Sequence, residues 1–412
     1  GPLFETVAGE ARVSVGVGYR SNDLVTKDLI TGTTGTSGKS RSNFGYGEIN
    51  LPLVNPDRNI PGLHRLTLNG AFRYEDYESF GDVTTPKIGA IWGVTNSLDV
   101  KATWGKSFKA PTLAQLNQSS GTSLYPASSL GATGAPAGAT ALILSGGNPD
   151  LGPERAKTLT AGLVLRPQSL PGLTLEANWF DIDYTDRVLA PLNPRTQALV
   201  NPAFADLITW NPTTSQQETA IAITDRFFNQ TGAPYDPTSV IAIANNLYTN
   251  VAGQKSRGLD LSVQYAVEAF SGDLTLHGTV SHIASTRQIT TRAPELEAAG
   301  VIYFPAKNRG RVGASWSRGS FALSSFVNYI GQVRDTNSSP SVSGSSMATL
   351  DLNVDYWPSR FRESFGVNLS LINVFNESPP FLQPFYPFYV NYDSTNYSPL
   401  GRVVNMTLTK RF

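Results

Sequence analysis

Apolar and polar residues alternate along stretch after stretch of this 412-residue chain, while helical spacing is almost nowhere to be found. A two-residue period belongs to strands whose faces meet different surroundings. In 258–268, Leu259, Leu261, Val263, Tyr265 and Val267 share one face, and Asp260, Ser262, Gln264 and Glu268 share the other. In 347–357, Ala348, Leu350, Leu352, Val354 and Tyr356 oppose Thr349, Asp351, Asn353 and Asp355. A soluble sandwich would turn the apolar face inward. A membrane barrel inverts the pattern, with apolar residues toward lipid and polar ones toward a wet lumen.

Strand length and the spacing of the connections choose between these readings. Candidate strands lie near 12–20, 44–54, 63–77, 85–94, 97–108, 155–167, 173–187, 248–268, 272–286, 308–318, 321–332, 347–358, 364–376 and 401–412. Many reach the ~9–11 residues that cross a bilayer at a tilt. Short connections (55–62, 95–96, 168–172, 269–271, 319–320, 359–363) alternate with mostly longer ones (21–43, 77–84, 109–154, 188–247, 287–307, 333–346, 377–400). Outer-membrane barrels sort their turns and loops in this way, whereas compact soluble domains tolerate few structureless loops beyond ~12–15 residues. The expected fold is therefore all-β: a transmembrane antiparallel barrel with about fourteen strands and the long loops on one rim. Leu259, Leu261, Val263, Leu350, Leu352 and Val354 are expected to face lipid, and Asp260, Gln264, Asp351 and Asn353 the lumen. Tyr19, Trp104, Trp179, Tyr184, Tyr329, Tyr356 and Trp357, near strand ends, read as an interfacial girdle.

Composition narrows the function classes. Cysteine is absent, which removes disulfide, zinc–thiolate and thiol-nucleophile chemistry. Charged residues are 16% with zero net charge, so no basic stripe suggests nucleic acid. No stretch approaches the ~20 apolar residues of a spanning helix. His64, His277 and His282 have no metal-binding spacing, and no nucleophile elbow or phosphate loop is present, so no catalytic residue, metal or cofactor is expected. Asp181 and Asp183 share one strand face, where a lumen cation or water is expected to relieve their repulsion. The first residues carry no secretory-signal pattern, and the chain is expected to be incomplete at its front.

Three segments carry a more specific likeness. FRYEDYESFGDVTTPKIGAIWGVTNSLDVKATWGKSFKAPTLAQL (72–116) joins paired hairpins to a loop entry, and GNPDLGPERAKTLTAGL (147–163) returns from that loop, followed by WFDIDYTDRV (179–188). The chain then finishes through NVFNESPPF and YSPLGRVVNMTLTKRF (397–412), ending on Phe412. In this order the set resembles the C-terminal part of the barrel of TonB-dependent outer-membrane receptors, a family whose barrel has about 22 strands around a plugged lumen.

That resemblance implies that residues 1–412 form one partial barrel with long extracellular loops at 109–154, 188–247 and 377–400, in the bacterial outer membrane. It also implies that roughly the first eight strands, the plug domain and the segment engaging TonB lie outside this sequence. The first and last strands are then expected not to pair. The implied function is TonB-coupled uptake of a scarce bulky nutrient, a siderophore–iron chelate or a glycan. The alternatives are a self-closing passive pore or adhesin and, more distantly, a soluble carbohydrate-binding β-protein. The implied partners are membrane lipid, the TonB complex and a small-molecule or glycan cargo. Tyr386, Phe388, Tyr389 and Tyr392 in the last loop, with Trp210, Phe227 and Phe228 in the longest, are the expected cargo contacts, because tyrosine offers a rigid ring and a hydroxyl at little entropic cost.

Overall fold

Fourteen antiparallel strands, each hydrogen-bonded to its neighbours in sequence, make one continuous wall. A computed structural model describes residues 1–30, 32, 34–336, 340–358, 364–382 and 390–410. The wall runs through Gly9–Lys27, Thr34–Val54, Arg65–Tyr77, Gly81–Gly93, Leu98–Lys109, Glu154–Leu165 and Leu173–Leu189. It continues through Thr249–Ala269, Gly272–Gln288, Asn308–Arg318, Phe321–Ile330, Met347–Tyr356, Phe365–Ile372 and Val403–Lys410. Pro2–Thr6 and Leu296–Glu297 add two short strands, giving a sheet of sixteen.

Pairing register puts whole rows of side chains on one face. Ala102, Ala161, Trp179, Leu259, His282 and Asn308 lie opposite one another across six strands. Below them on the same face stand Leu163, Leu175, Leu261, Val280 and Val312, all left exposed by the protein itself. The outward residues from Leu259 to Val267 run about 26 Å along the strand at ~3.3 Å per residue. A tilt of roughly 40° reduces that to about 20 Å, comparable to the roughly 25 Å apolar band of outer-membrane barrels.

The opposite face is polar and internally satisfied. Asn368 donates to both Asn353 and Asp355 at 2.8 Å, Ser370 donates to Asn353 at 2.8 Å, and Asn328 donates to Asp351 at 2.7 Å. Arg73 sits 4.3 Å over the Phe44 ring and 2.6 Å from Glu75. Two glycines make room for this layer: a Cβ at Gly18 would meet the Phe44 ring at 2.4 Å and one at Gly16 the Tyr46 ring at 2.5 Å.

Among the described residues the sheet does not close. Val403–Lys410 pairs only with Phe365–Ile372, and Gly9–Lys27 only with Thr34–Val54 and the short Pro2–Thr6. The seam that a self-closing fourteen-strand pore requires is absent from these residues. Both outer strands therefore leave ladder groups unpaired among the described residues.

Several expectations about the connections need correction. The segment 77–84 is no long loop: Glu78, Ser79 and Phe80 make a tight turn, with Tyr77 opposite Gly81 and Phe80 stacked on Tyr77 at 4.6 Å. Pro86 lies inside Gly81–Gly93, next to Lys87, where pairing to Leu98–Lys109 ends. The segment 21–43 is mostly strand, because Gly9–Lys27 and Thr34–Val54 continue as a hairpin far past the apolar band. The large loops nevertheless all leave the same rim.

The largest correction concerns 109–154 and 188–247, which are folded together. They share a five-stranded sheet in the order Ile208–Trp210, Val240–Leu247, Thr140–Gly146, Gly121–Pro126, Arg226–Asn229. Two of its pairings are parallel, so the chain is not wholly antiparallel. Helices Leu113–Asn117 and Thr214–Ala222 begin at Thr112 and Thr213, each closed by a reciprocal capping box with Gln115 or Gln216. Ala141, Ile143, Ala242 and Ala244 pack on one side of this sheet with Leu130, Leu192 and Phe204. Leu142, Leu144 and Ile243 pack on the other side with Leu124 and Ala220. Both faces of this cap are buried, and a dry core on each side holds it as a solid body.

Candidate ligand-binding mouth

The roots of the cap rest on a single buried carboxylate. Glu154, 3% exposed, is met by Lys109 at 3.3 Å, by the Val188 backbone N–H at 2.9 Å and by the Tyr184 hydroxyl. A carboxylate this enclosed is tolerable only because each oxygen is taken up by donors. Asn250 adds a clamp, donating to the carbonyls of Gly152 and Asp186 at 2.9 and 2.8 Å and accepting from the Gly152 N–H at 2.9 Å. Tyr184 therefore belongs to the polar face and not to the girdle, which keeps Tyr19, Trp104, Trp179, Tyr329 and Tyr356 on the apolar side.

Beside these roots the polar face carries arginines without acids. Arg187 donates to Gln254 and lies 5.5 Å from the Tyr184 ring centroid. Arg287, opposite Gln254 in register, lies 4.4 Å over the Phe304 ring, and its Nε is buried with no hydrogen-bond partner among the described residues. Arg311 lies much deeper on the same face, opposite Thr279, where it stands over Phe326 at 4.2 Å and donates to Asn328 at 2.8 Å. None of the three has a carboxylate within ion-pair distance among the described residues. Aromatic faces and amides hold these guanidiniums in place without neutralising them, so the mouth presents fixed positive charge with donors to spare.

The outer loops near this face are pinned by their own core. Val301, Ile302, Val333, Met347, Leu382 and Tyr397 form a buried cluster. Fully buried Asp393 accepts from the N–H groups of Thr395 at 2.9 Å and Tyr303 at 3.2 Å. The Tyr397 hydroxyl donates to the Gly331 carbonyl at 3.0 Å. Burial, with Asp393 nearby, pushes that hydroxyl above the ordinary tyrosine range, so it remains a neutral donor.

Those of the expected cargo aromatics that lie among the described residues do not form one cluster. Tyr386, Phe388 and Tyr389 lie outside the described residues. Tyr392 packs half-buried against the Tyr397 cluster. Trp210 and the pair Phe227 and Phe228 are exposed but occupy opposite edge strands of the cap sheet, about 19 Å apart at ~4.8 Å per strand spacing. Phe227 meets Tyr235 edge-on at 5.7 Å.

Asp181 and Asp183 fall on the apolar side just above the band. Asp181 is neutralised by Arg257 at 2.9 Å, so a cross-strand arginine takes the place of the expected lumen cation. His282, on the apolar face, contacts Asn308 at 2.8 Å, while His277 lies on the polar face 6.0 Å from Phe326.

Comparison with known proteins places this wall in context. A profile of the family described as TonB dependent receptor-like, beta-barrel matches residues 3–376. Among solved structures, a variant of the ferric enterobactin receptor from Pseudomonas aeruginosa matches at 16% identity with a TM-score of 0.65, over 98% of this chain and 51% of that one. The siderophore receptor PirA from Acinetobacter baumannii matches at 15% identity and TM-score 0.64, over 99% of this chain and 53% of that one. The FrpB iron transporter from Neisseria meningitidis matches at 14% identity and TM-score 0.59, over 98% and 53%. At such identities the likeness is one of fold alone, and this chain spans about half the length of each structure. No curated protein sequence matches it.

Proposed function

Because this chain belongs to the TonB-dependent receptor-like β-barrel family, whose members are transporters of the bacterial outer membrane and not enzymes, we propose that residues 1–412 form part of a larger barrel that imports a bulky anionic metal chelate. Two unpaired sheet edges and the half-length match support the partial-barrel reading. Release of cargo would then depend on a plug and on TonB, the division of labour the family resemblance implies.

The observation that carries the choice of cargo is the pair Arg187 and Arg287, held at the mouth without acids. A ferric siderophore with deprotonated oxygen donors has net negative charge, and guanidinium forks suit its oxygen-rich surface. A neutral glycan would instead favour aromatic platforms with carboxylate or amide acceptors. Tyr386, Phe388, Tyr389 and Tyr392 remain proposed contacts of the last loop. Trp210 and Phe227 with Phe228 can serve only as two separate contacts on the cap.

The test is equilibrium binding to the intact receptor of a ferric tris-catechol chelate and, separately, of a neutral maltooligosaccharide. Hydrogen bonds to charged groups contribute about 1.5–3 kcal/mol, so Arg187→Gln with Arg287→Gln is expected to weaken chelate binding at least about tenfold. Chelate affinity unchanged in the double variant, or tighter binding of the neutral oligosaccharide than of the chelate, contradicts the proposal.

A further inference from the structure

Arg309 and Arg311 stand on the polar face of Asn308–Arg318, opposite Ser281 and Thr279. Measured down Gly272–Gln288 at ~3.3 Å per residue, these positions lie about 20 and 26 Å below Arg287. Gly310, which faces outward between them, pairs with Val280, and Val280 pairs with Leu261, so both arginines sit at the depth of the apolar band. Both are exposed, and neither has a carboxylate at ion-pair distance among the described residues. Asp260, level with Arg309, stands beyond Ser281 on the second strand over. Charge at this depth is costly, and where it faces the interior it marks the route of an ion or a charged substrate.

Each guanidinium is held by an asparagine that stands between it and an aspartate. Arg311 donates to the Asn328 side-chain oxygen at 2.8 Å, and the Asn328 amide donates to Asp351 at 2.7 Å. Arg309 donates to the Asn396 side-chain oxygen, and the Asn396 amide donates to Asp393 at 2.6 Å. An amide so placed orients both charges while keeping them from pairing directly, and a guanidinium has donors beyond the one it uses here. Asn396 also donates to the Phe304 carbonyl at 2.6 Å, and Arg287 lies over the Phe304 ring. Phe304 therefore joins the rim arginine to the upper member of the inner pair, and the cations form one descending row. We propose that Arg309 and Arg311 are an inner anion station on the import path, which receives the chelate after it leaves Arg187 and Arg287. The assignment rests on the anionic-chelate reading above. Successive cations of this kind pass an anion inward when each one holds it only loosely.

Uptake of a radio-iron-labelled ferric tris-catechol chelate by cells carrying the intact receptor tests this, beside equilibrium binding of the same chelate to de-energised cells. Arg309→Gln with Arg311→Gln is expected to lower the uptake rate at saturating chelate at least about tenfold and to change binding by less than about twofold. Arg309→Lys with Arg311→Lys keeps the charge and is expected to retain most of the uptake. Entry of a large glycopeptide antibiotic, which a plugged barrel excludes, should stay at the parent level in both variants. Undiminished uptake in the Gln variant, loss in the Lys variant as deep as in the Gln variant, or antibiotic entry that shows the pair to be an anchor for the plug would each overturn the station while leaving the cargo reading intact. A parent receptor that binds no chelate contradicts the cargo reading itself and removes both.

Discussion

Replacing Leu261 with arginine is expected to destabilise the barrel by about 2–4 kcal/mol, the cost of a cation on the lipid face near the bilayer centre. Leu261 is 45% exposed on a face otherwise lined by Leu163, Leu175, Val263 and Val280. A soluble protein would accept a charge at so open a position with little change. Ser262→Arg, one residue away, turns to the polar side and is expected to shift stability by well under ~1 kcal/mol. Urea titration of the intact receptor folded in vesicles reads both values. Equal effects of the two substitutions would mean that the faces have been misassigned.

A second large effect is expected in the cap. Phe204 is 1% exposed and packs with Leu130, Ile143 and Leu192, so Phe204→Ala should remove about 3–5 kcal/mol from the unit that buries it. The cap has its own sheet and two cores, and it is joined to the wall by its roots at Glu154 and Asn250 and by helix Leu113–Asn117 against Thr34–Val54. The loss should therefore appear as local unfolding. Hydrogen exchange is expected to accelerate in Thr140–Gly146 and Val240–Leu247 and to remain slow in the wall strands. Loss of protection in the wall at the same time would show that the two parts fold as one unit.

The wall could be read from the sequence because each strand states its two environments in alternate residues. Leu259 against Asp260 and Leu352 against Asn353 identify the faces before any coordinates, and each of the fourteen expected strands overlaps an observed one. Errors arose where that signal fades. Ser37–Asn43, rich in small polar residues, reads as a loop, yet the ladder to Tyr19–Val25 forms because backbone pairing needs no apolar face. Glu78–Phe80 lies within 77–84, which reads as a loop between two strands. Gly81, at a φ of +81°, instead permits a tight turn.

The cap did leave a signal in the sequence. Ala141–Leu144 and Val240–Ala244 are unbroken apolar runs, the mark of strands buried on both faces, but they lie in segments whose length suggested loops. Their pairing joins positions about a hundred residues apart, which no local pattern reveals. The arginine mouth was equally hidden: Arg187 and Arg287 are unremarkable alone, and only the register through Gln254 brings them together. Tyr184 and Asp181 stand on the opposite faces from those expected, because near a strand end composition no longer distinguishes lipid from lumen.

The central claim is that alternate residues of this wall face hydrocarbon and water, and the absence of cysteine from these 412 residues allows a direct measurement once any thiol elsewhere in the intact receptor is replaced. Single cysteines at 259 through 264 in the intact receptor, spin-labelled and reconstituted in bilayers, report collision rates with oxygen, which concentrates in lipid, and with a water-soluble nickel chelate. Labels at 259, 261 and 263 are predicted to favour oxygen and those at 260, 262 and 264 the nickel chelate, a two-residue oscillation in phase with Leu259. Oscillation in the opposite phase, or uniform access to the aqueous reagent across all six positions, would contradict a membrane-spanning wall.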